Sequence, residues 1–263
     1  RVLILGPTGG GKELIARKIH KNSSRSKEPF VIINAALLKE KTYEKELFGE
    51  EFEDGNISIG ALEKANKGTL LIDEVSEIPY ETQANVLRVL IDQKFKRLNG
   101  SKDINVNIRL ISSTSKELGE LVKTNNFRED LYHRLNVFPM VLPPLRKRDD
   151  VSDLTDYFLE NLPQNHSKDQ KTFPDSSIPV TISSEALEYL ESYSWPGNVR
   201  ELKNTLERAA LISETNIIET SHLPLNILEY ETSNTSSSQN ASSLPEGVSM
   251  DDHLRSLEKK MII

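Results

Sequence analysis

Residues 1–21 read RVLILGPTGGGKELIARKIHK and contain the order of elements that decides the fold. The run Val2–Leu5 is short and apolar, which is typical of a buried strand. The glycine-rich turn GPTGGGKE follows it, and apolar residues then recur at helical spacing up to Lys21. A strand, a glycine-rich turn containing a lysine and a helix together form the context that a phosphate-binding loop requires.

The glycine-rich turn has the residues that such a loop needs. Glycines let backbone N–H groups close around phosphates, and the helix N-terminus adds a positive dipole. Lys12 would reach the terminal phosphates, while Glu13 stands where Ser or Thr normally binds magnesium. The residues predicted to bind a nucleotide are Gly6, Pro7, Thr8, Gly9, Gly10, Gly11, Lys12 and Glu13. A chance glycine-rich turn is the alternative that the residues leave open.

A second motif closes a later apolar run. Residues 69–74 read TLLIDE, which is a strand that ends in two acids. Ligands of open α/β sheets lie at the carboxyl ends of the strands. Asp73 is therefore predicted to position magnesium, and Glu74 to orient and polarise the attacking water in a phosphoryl transfer. A solvated strand end is the structural alternative.

Strand-like and helix-like segments alternate through the rest of the first half. Phe30–Ile33, Thr69–Ile72 and Ile108–Ser112 are short and apolar, whereas Glu81–Asp92 repeats its apolar residues at helical spacing. This alternation favours an α/β fold with a parallel sheet covered by helices on both faces. Asn99-Gly100 predicts the turn of a hairpin that leads into the third of these strands.

Helical patterns replace the strands after Pro143-Pro144 and predict a small all-α domain. Its helices are predicted over 150–162, 184–193 and 199–213, with a polar loop over 164–179, and Asn198 with Glu201 fits a capping box. The predicted division is an α/β nucleotide-binding domain over 1–144, the helical domain over 145–228, a flexible Ser/Thr/Asn-rich linker over 229–246 and the truncated start of a further domain over 247–263.

Composition limits the classes of function. The chain has 263 residues, a net charge of -7 and no cysteine, which excludes disulfides and thiolate metal sites. The acidic balance gives no overall electrostatic footprint for nucleic acid. Five histidines show no metal spacing, no apolar run reaches the length of a membrane span, and no signal peptide is visible. We expect a cytoplasmic protein without a membrane partner and, because the chain starts inside a strand, a piece of a longer one.

Taken together, the motifs resemble those of a known family. From Val2 to about Asn226 the chain is similar to the AAA+ central domain of the sigma-54-type transcription activators, the NtrC family of response regulators. The resemblance rests on GPTGGGKE, INAALL, ELFGEE, GTLLIDE, FREDLYHRLNVF, LPPLRKR and WPGNVREL. Glu13 is usual in that family. The resemblance implies a P-loop AAA+ sheet with a C-terminal helical lid, with ATP or ADP and magnesium as ligands.

The resemblance also assigns roles to residues outside the two main motifs. Asn34 matches the residue that holds the catalytic glutamate away from water, so it is expected to restrain Glu74; a turn-capping amide is the alternative. Arg128 and Arg134 match the arginines that reach the nucleotide of a neighbouring subunit, where an arginine stabilises transition-state charge. On sequence alone, two arginines six residues apart are more often surface charges.

Three more positions are expected to contact the nucleotide. Arg200 lies off the apolar stripe of its helix and matches the second sensor of the family. Thr114 and Ser115 occupy the first sensor, where the family more often has Thr-Asn. The serine hydroxyl has a shorter reach than the asparagine amide, which puts the sensor role of Ser115 in doubt.

The segment between ELFG and the TLLIDE strand departs from the family. Members carry a GAFTGA loop there, with which they grip the sigma factor, whereas this chain has EEFEDGNISIG and a shorter interval. Gly60-Ala61-Leu62 aligns with the exit of that loop. The departure resembles the NtrX branch, in which the motif is missing, and we expect no ordinary remodelling of the sigma-54 holoenzyme.

Three hypotheses of function follow. The first is an ATP-binding and ATP-hydrolysing domain of an NtrX-like two-component response regulator that controls transcription. The second is a nucleotide-dependent oligomerisation module of a DNA-binding regulator with little turnover, and the third is an AAA+ remodeller of another substrate. The partners implied by resemblance are further copies of the chain in a ring or dimer, RNA polymerase or a sigma factor, DNA through a C-terminal domain, and a sensor histidine kinase through an N-terminal domain. Both of those domains lie outside this chain.

Overall fold

The computed structural model of the chain describes residues 1–38, 40–162 and 179–230. The polar loop predicted over 164–179 lies outside the described residues except for Pro179. The predicted linker beyond residue 230 and the predicted final segment lie outside them as well.

Strands and helices alternate along the first part of the chain, as the sequence pattern predicts. The strands are β1 (Val2–Leu5), β2 (Phe30–Asn34), β3 (Gly49–Glu51), β4 (Ile57–Ile59), β5 (Thr69–Asp73), β6 (Lys94–Phe95), β7 (Ile104–Asn105), β8 (Arg109–Thr114), β9 (Pro139–Val141), β10 (Thr181–Ile182) and β11 (Ile217–Ile218). The helices are α1 (Lys12–Lys21), α2 (Glu40–Phe48), α3 (Ala61–Lys64), α4 (Tyr80–Asp92), α5 (Leu118–Lys123), α6 (Glu129–Leu135), α7 (Val151–Glu160), α8 (Ser184–Ser192), α9 (Asn198–Ile212) and α10 (Leu225–Leu228).

Five parallel strands form the central sheet in the order β2-β5-β8-β1-β9. β5 pairs with β2 and β8, and β1 pairs with β8 and β9, each time in parallel. Parallel neighbours need long crossover connections, usually through helices that lie on the faces of the sheet. The predicted α/β fold with a parallel sheet is confirmed.

Neighbouring residues of the central strands pack into two different hydrophobic clusters. Leu70 and Ile72 pack with Val86 of α4 and Leu131 of α6, whereas Leu71 packs with Ala16 of α1. Successive side chains of a strand point to opposite faces of the sheet. Helix α1 therefore covers one face, and α4 and α6 cover the other.

Strand β5 is the buried centre of this arrangement, and its end marks the site. Thr69–Ile72 is fully buried, and burial falls at Asp73, where the chain leaves the sheet. All neighbours of β5 in the sheet run parallel to it. The carboxyl ends of β1, β2, β5 and β8 therefore share one edge of the sheet.

Three short pairings differ from the prediction or extend it. Strand β9 has no strand signal in the sequence, because it lies at the sheet edge, contains Pro139 and leaves Val141 exposed. The predicted hairpin exists as β6 with β7, and Asn99 lies in its connection with φ of 60°. A second antiparallel hairpin, β3 with β4, is an addition to the prediction.

The described residues fall into two compact units. The first is Arg1–Phe158 with Ser194–Leu206, and the second lies within Leu159–Tyr193 and from Glu207 onward. The second unit is helical, but its parallel pair of β10 and β11 corrects the prediction of an all-α domain. Strands of two residues are too short for a periodic signal in the sequence. The domain boundaries in the sequence analysis stay a prediction.

Membrane-spanning helices were sought across the described ranges. None of the helices there has both the length and the apolar character that crossing a bilayer requires.

Candidate functional site

The glycine-rich loop, residues 6–11, connects β1 to α1 in a conformation that favours glycine at two positions. Gly9 and Gly11 have φ of 76° and 96°, values that other residues adopt only with strain. A Cβ atom on Gly9 would lie 2.4 Å from the carbonyl oxygen of Gly197. Among the described residues, the N–H groups of Gly9 and Gly11 donate to no protein acceptor. Such donors beside a helix N-terminus suit an anion.

Lys12 is buried at the start of α1, with 6% of its surface exposed. Its Nζ atom donates to the carbonyl oxygens of Gly6, at 3.0 Å, and Pro7, at 3.3 Å. The same atom lies 3.0 Å from Oε1 of Glu74. An ammonium group has three N–H donors, so all three are engaged by the protein.

Both carboxylate oxygens of Asp73 accept hydrogen bonds from neighbouring strands. Ser113 of β8 donates to Oδ1 at 2.5 Å, and the side-chain amide of Asn34, at the end of β2, donates to Oδ2 at 2.9 Å. Asn34 also accepts a hydrogen bond from the N–H of Ala36 at 3.0 Å. Asn34 therefore caps a turn, as the alternative interpretation predicted, and also contacts Asp73 of the acidic pair Asp73-Glu74.

The expected contact of Asn34 with Glu74 is replaced by this contact with Asp73. The reason is the register of the sheet, in which Asn34 is paired with Asp73. Glu74 has already left the strand, with φ of 51° and ψ of 55° in the left-handed region. Its carboxylate therefore faces other partners.

Ser115 and Lys12 hold the carboxylate of Glu74. Oε2 accepts from the backbone N–H of Ser115 at 2.9 Å and from its hydroxyl at 2.8 Å, while Oε1 lies against Lys12. Partial burial raises the pKa of Glu74, but the hydrogen bonds from Lys12 and Ser115 outweigh that effect. Its pKa therefore lies below the ordinary value for a glutamate, which keeps the group ionised.

A pocket of about 390 Å³ lies at this edge of the sheet, within the first unit. The residues lining it that the sequence predicts for the site are Thr8, Asn34, Asp73, Glu74, Ser115 and Arg200. Glu77 and Lys116 also line it and form an ion pair at 2.7 Å. Residues far apart in the sequence are thus brought together around one cavity.

Two predicted contacts take a different orientation. Thr114 is fully buried, and its hydroxyl donates to the carbonyl of Lys116 at 3.2 Å and accepts from the N–H of that residue. Its hydroxyl therefore takes part in the hydrogen bonds of a local turn. Glu13 is exposed and forms an ion pair with Arg17 at 2.7 Å, which fits a position that does not serve as the main metal ligand.

Asn198 connects the glycine-rich loop to the beginning of α9. Its amide donates to the carbonyl of Thr8 at 3.1 Å, and its Oδ1 accepts from the N–H of Leu145 at 2.9 Å. The predicted capping box is shifted, because Glu201 accepts from the N–H of Gly197 at 2.7 Å instead. The buried side chain of Asn198 is left free to fix the loop.

Arg200 reaches the same loop through its backbone. Its N–H donates to the carbonyl of Gly9 at 3.2 Å, and its side chain is exposed and lines the pocket. This position agrees with the predicted nucleotide contact from α9, which itself stays a prediction.

The two arginines predicted to act across a subunit interface lie away from the pocket. Arg128 precedes α6 and forms an ion pair with Asp130 at 2.7 Å. Arg134 lies in the last turn of α6 and is exposed; among the described residues it has no hydrogen bond or ion pair. Neither lines the pocket of this subunit.

The segment that departs from the family, residues 50–60, forms the antiparallel hairpin of β3 and β4 together with Gly49. We refer to Gly49–Ile59 as the acidic hairpin. Its base is held by Arg97, which pairs with Glu51 at 2.9 Å and with Glu63 at 2.8 Å. At its tip, Asp54 accepts a hydrogen bond from the N–H of Asn56 at 2.9 Å. The large apolar side chains that it exposes are Phe52, Ile57 and Ile59.

The residues of the pocket fit a nucleotide with magnesium. Magnesium is usually bound through one or two carboxylates, substrate phosphates and water, so it needs no cage of protein ligands. Asp73 and Glu74 supply carboxylates, and the buried ammonium of Lys12 and the free N–H groups of the loop suit phosphate. Among the described residues there is no cluster of three or more metal-binding side chains.

The sequence analysis missed the roles of two residues at this site. Ser113 donates to Asp73, and Asn198 donates to the carbonyl of Thr8 in the glycine-rich loop. A buried serine near the end of a central strand is the signal that could have identified Ser113, since ligands lie at such strand ends. No sequence signal identifies the contacts of Asn198.

Two family profiles match the chain in succession. The profile described as the Sigma-54 interaction domain matches residues 1–141, and that of the AAA+ ATPase lid domain matches residues 146–240. The nitrogen assimilation regulatory protein NtrX of Azorhizobium caulinodans is 45% identical over 215 residues, covering 81% of this chain and 45% of that protein. The regulatory protein AtoC of Escherichia coli is 44% identical over 228 residues, covering 85% of this chain and 48% of that protein. The chain spans about half the length of these curated relatives.

Solved structures of NtrX from Brucella abortus match almost the whole chain. The structure in complex with ADP has a TM-score of 0.77 at 36% identity and covers 99% of this chain and 55% of that chain. The structure in complex with ATP has a TM-score of 0.75 at 36% identity and covers 100% of this chain and 56% of that chain.

Proposed function

Because this chain belongs to the family of the Sigma-54 interaction domain, we propose that it is the ATP-binding and ATP-hydrolysing AAA+ domain of an NtrX-like two-component response regulator. The whole regulator would control transcription, with DNA bound through a C-terminal domain and a sensor histidine kinase acting through an N-terminal domain. The complexes of the Brucella protein with ADP and ATP support the choice of nucleotide.

The observation that carries the proposal is the convergence of Lys12, Asp73 and Glu74 at one edge of the sheet. The buried ammonium of Lys12 lies 3.0 Å from Glu74, and Asp73 is held beside them by two neighbouring strands. Bound ATP with magnesium would supply the phosphoryl group and neutralise its charge. Catalysis of phosphoryl transfer depends mainly on positioning and electrostatic stabilisation, and this arrangement offers both.

Each residue has a role in this proposal that follows from its place. The loop N–H groups and Lys12 bind phosphates, and Asp73 holds magnesium. Glu74, kept ionised by its neighbours, accepts a hydrogen bond from the attacking water. Arg200 contacts the nucleotide from α9. The assignments of Asp73, Glu74 and Arg200 rest on their place in the lining of the pocket, and that of Lys12 rests on its contact with Glu74.

Arg128 and Arg134 act in trans in this proposal, on the nucleotide of a neighbouring copy. Support comes from their position, since neither lines the pocket of its own subunit and Arg134 is exposed. An arginine that is supplied in trans makes turnover depend on assembly. The chain is therefore expected to hydrolyse ATP as a ring or dimer.

The acidic hairpin replaces the GAFTGA loop in this proposal, so the domain would not remodel the sigma-54 holoenzyme in the usual way. Its short antiparallel pairing and its tip with Glu53 and Asp54 support this reading. Contact with RNA polymerase or another sigma factor is a further part of this proposal.

The second candidate is a nucleotide-dependent oligomerisation module with little turnover. The observation that favours it is the set of three donors on the carboxylate of Glu74, which leaves that group less able to accept from water. The third hypothesis, a remodeller of another substrate, would need a segment that grips protein, and the acidic EEFEDG segment in that position is a poor candidate.

The test of the proposed function is ATP turnover against protein concentration. It compares the chain with Glu74→Gln, Arg134→Ala and, as a matched exposed arginine, Arg88→Ala. We expect turnover to rise more than linearly with concentration, to be lost in the first two variants and to be retained in the third. Binding of ATP with only background turnover at every concentration would contradict the proposal and favour the oligomerisation module.

A further inference from the structure

Ser115 has two donors, and both are directed at Glu74. Its backbone N–H and its hydroxyl lie 2.9 Å and 2.8 Å from the same oxygen, Oε2. Hydrogen bonds to an ionised acceptor are about twice as strong as neutral ones. The hydroxyl is thus committed to the glutamate, although the sequence placed Ser115 at a position expected to sense phosphate.

Lys12 completes the restraint from the other side of the carboxylate. Its ammonium approaches Oε1 at 3.0 Å while its two other donors are taken by the carbonyls of Gly6 and Pro7. A phosphate contact by Lys12 must therefore displace one of these three acceptors. Because Ser115 holds Glu74 in place, the ammonium of Lys12 keeps its contact with Glu74 in preference to a phosphate.

The side chain of Asn34 contacts Asp73 and not Glu74. Its amide donates to Asp73, opposite which it lies in the sheet, and its carbonyl oxygen accepts from Ala36. We propose that Ser115 is the positioning residue that restrains Glu74 in this chain, and that it opposes both nucleotide binding and turnover through that glutamate. This inference rests on the proposed function, since it assigns a regulator to the same site.

Removing the hydroxyl of Ser115 has two consequences. Glu74 gains a free acceptor site for the attacking water, so water is positioned more readily for attack. A phosphate can also displace Glu74 from Lys12 more readily. A residue that contacted phosphate or water directly would have the opposite effect, because its loss would slow turnover or weaken binding.

The experiment measures the dissociation constant of ADP without magnesium, and kcat and KM for ATP with magnesium. The variants are Ser115→Ala, Ser115→Thr, Glu74→Gln and the double variant Glu74→Gln with Ser115→Ala. For Ser115→Ala we expect kcat to rise about fivefold and ADP to bind about threefold more tightly, as the loss of one charge-assisted hydrogen bond allows. Ser115→Thr keeps a hydroxyl and should behave as the unaltered chain does.

The double variant separates an effect through Glu74 from any other. If Ser115 acts through Glu74, Ser115→Ala leaves ADP affinity unchanged once residue 74 is glutamine, because the two substitutions are fully coupled. Asn34→Ala tests the expectation, drawn from the family resemblance, that Asn34 restrains Glu74. It should raise the magnesium concentration needed for turnover, through Asp73, without raising kcat.

A lower kcat in Ser115→Ala, weaker ADP binding, or an equal effect of Ser115→Ala in the Glu74→Gln background would each overturn the inference. If the chain binds ADP but shows no turnover, the proposed ATPase activity is contradicted. The inference about Ser115 is then decided by whether Ser115→Ala binds ADP about threefold more tightly. A chain that binds no ADP at all overturns both.

Discussion

The acids at the end of β5 and the acidic hairpin belong to the same unit but are held in opposite ways. Each carboxylate oxygen of Asp73 and Glu74 has at least one donor, and these donors come from the ends of two strands, β2 and β8, and from Lys12. The hairpin is held near its base by Arg97, by Lys45 and by backbone bonds to Leu98, and its tip is exposed.

This difference shows where the fold constrains the sequence. A buried charge that loses its partner is costly, so a change at the acids should affect binding, turnover and stability together. An exposed tip has few contacts to lose, so a change there should leave the folded state almost intact. The hairpin can therefore vary in sequence while the site beside it stays the same.

Lys12→Ala should have the largest effect. It removes the ammonium that approaches Glu74 and that the proposal assigns to phosphate, and we expect kcat/KM for ATP to fall about a thousandfold, as for loss of a preorganised electrostatic contact. The matched control is Lys45→Ala, a lysine that pairs with Glu50 of the hairpin at 2.6 Å. That variant should turn over ATP at the unaltered rate, and similar losses in both would contradict the contrast.

Gly60→Ala tests the base of the hairpin. A Cβ atom at residue 60 would lie 2.4 Å from the backbone nitrogen of Gly49, so the strands must move, and we expect a loss of about 3 kcal/mol in the free energy of unfolding. Gly55→Ala is the comparison at the tip, where a Cβ meets nothing but φ is 83°. Strain alone should cost about 1 kcal/mol there. Denaturant unfolding of both variants measures the difference, and equal losses would show that the base is no more constrained than the tip.

The fold was predictable to the extent that its signals are local and periodic. The strand pattern around Leu70 and the bounds of α1 follow from apolar spacing and from the glycine-rich turn. Strand β9 and the pair of β10 and β11 could not be predicted, because their residues are few, partly exposed and held by pairing across the chain.

The candidate site was predictable as a set of residues but not as a set of contacts. Lys12, Asp73 and Glu74 belong to local motifs, so the sequence alone assigns them. The pairing of Asn34 with Asp73 depends on sheet register, and the hold of Ser115 on Glu74 depends on the left-handed turn after β5. Neither feature leaves a pattern in the sequence.

Asn198→Ala should have an intermediate effect. It removes the acceptor of the buried Leu145 N–H and the donor to Thr8, and leaving a buried donor unpaired costs about 2 kcal/mol in the free energy of unfolding. Asn198→Asp keeps the acceptor but places a buried carboxylate against the carbonyls of Thr8 and Pro196, so it should lose at least as much stability. Denaturant unfolding checks the order of the two variants. Equal stability of Asn198→Ala and the unaltered chain would mean that the tie contributes nothing.

Phe52→Ser should have the smallest effect. Phe52 is 42% exposed, and its ring lies 4.9 Å from the ammonium of Lys45; a cation–π contact of this exposed kind is worth about 0.5 kcal/mol. Thermal unfolding should therefore change little, and ATP turnover should stay within the error of the unaltered chain. A large loss of turnover would mean that the hairpin tip contacts the site or a neighbouring copy during hydrolysis. The hairpin and the acids at the end of β5 would then act together in hydrolysis. The difference in how firmly they are held would describe the isolated chain and not its assembled form.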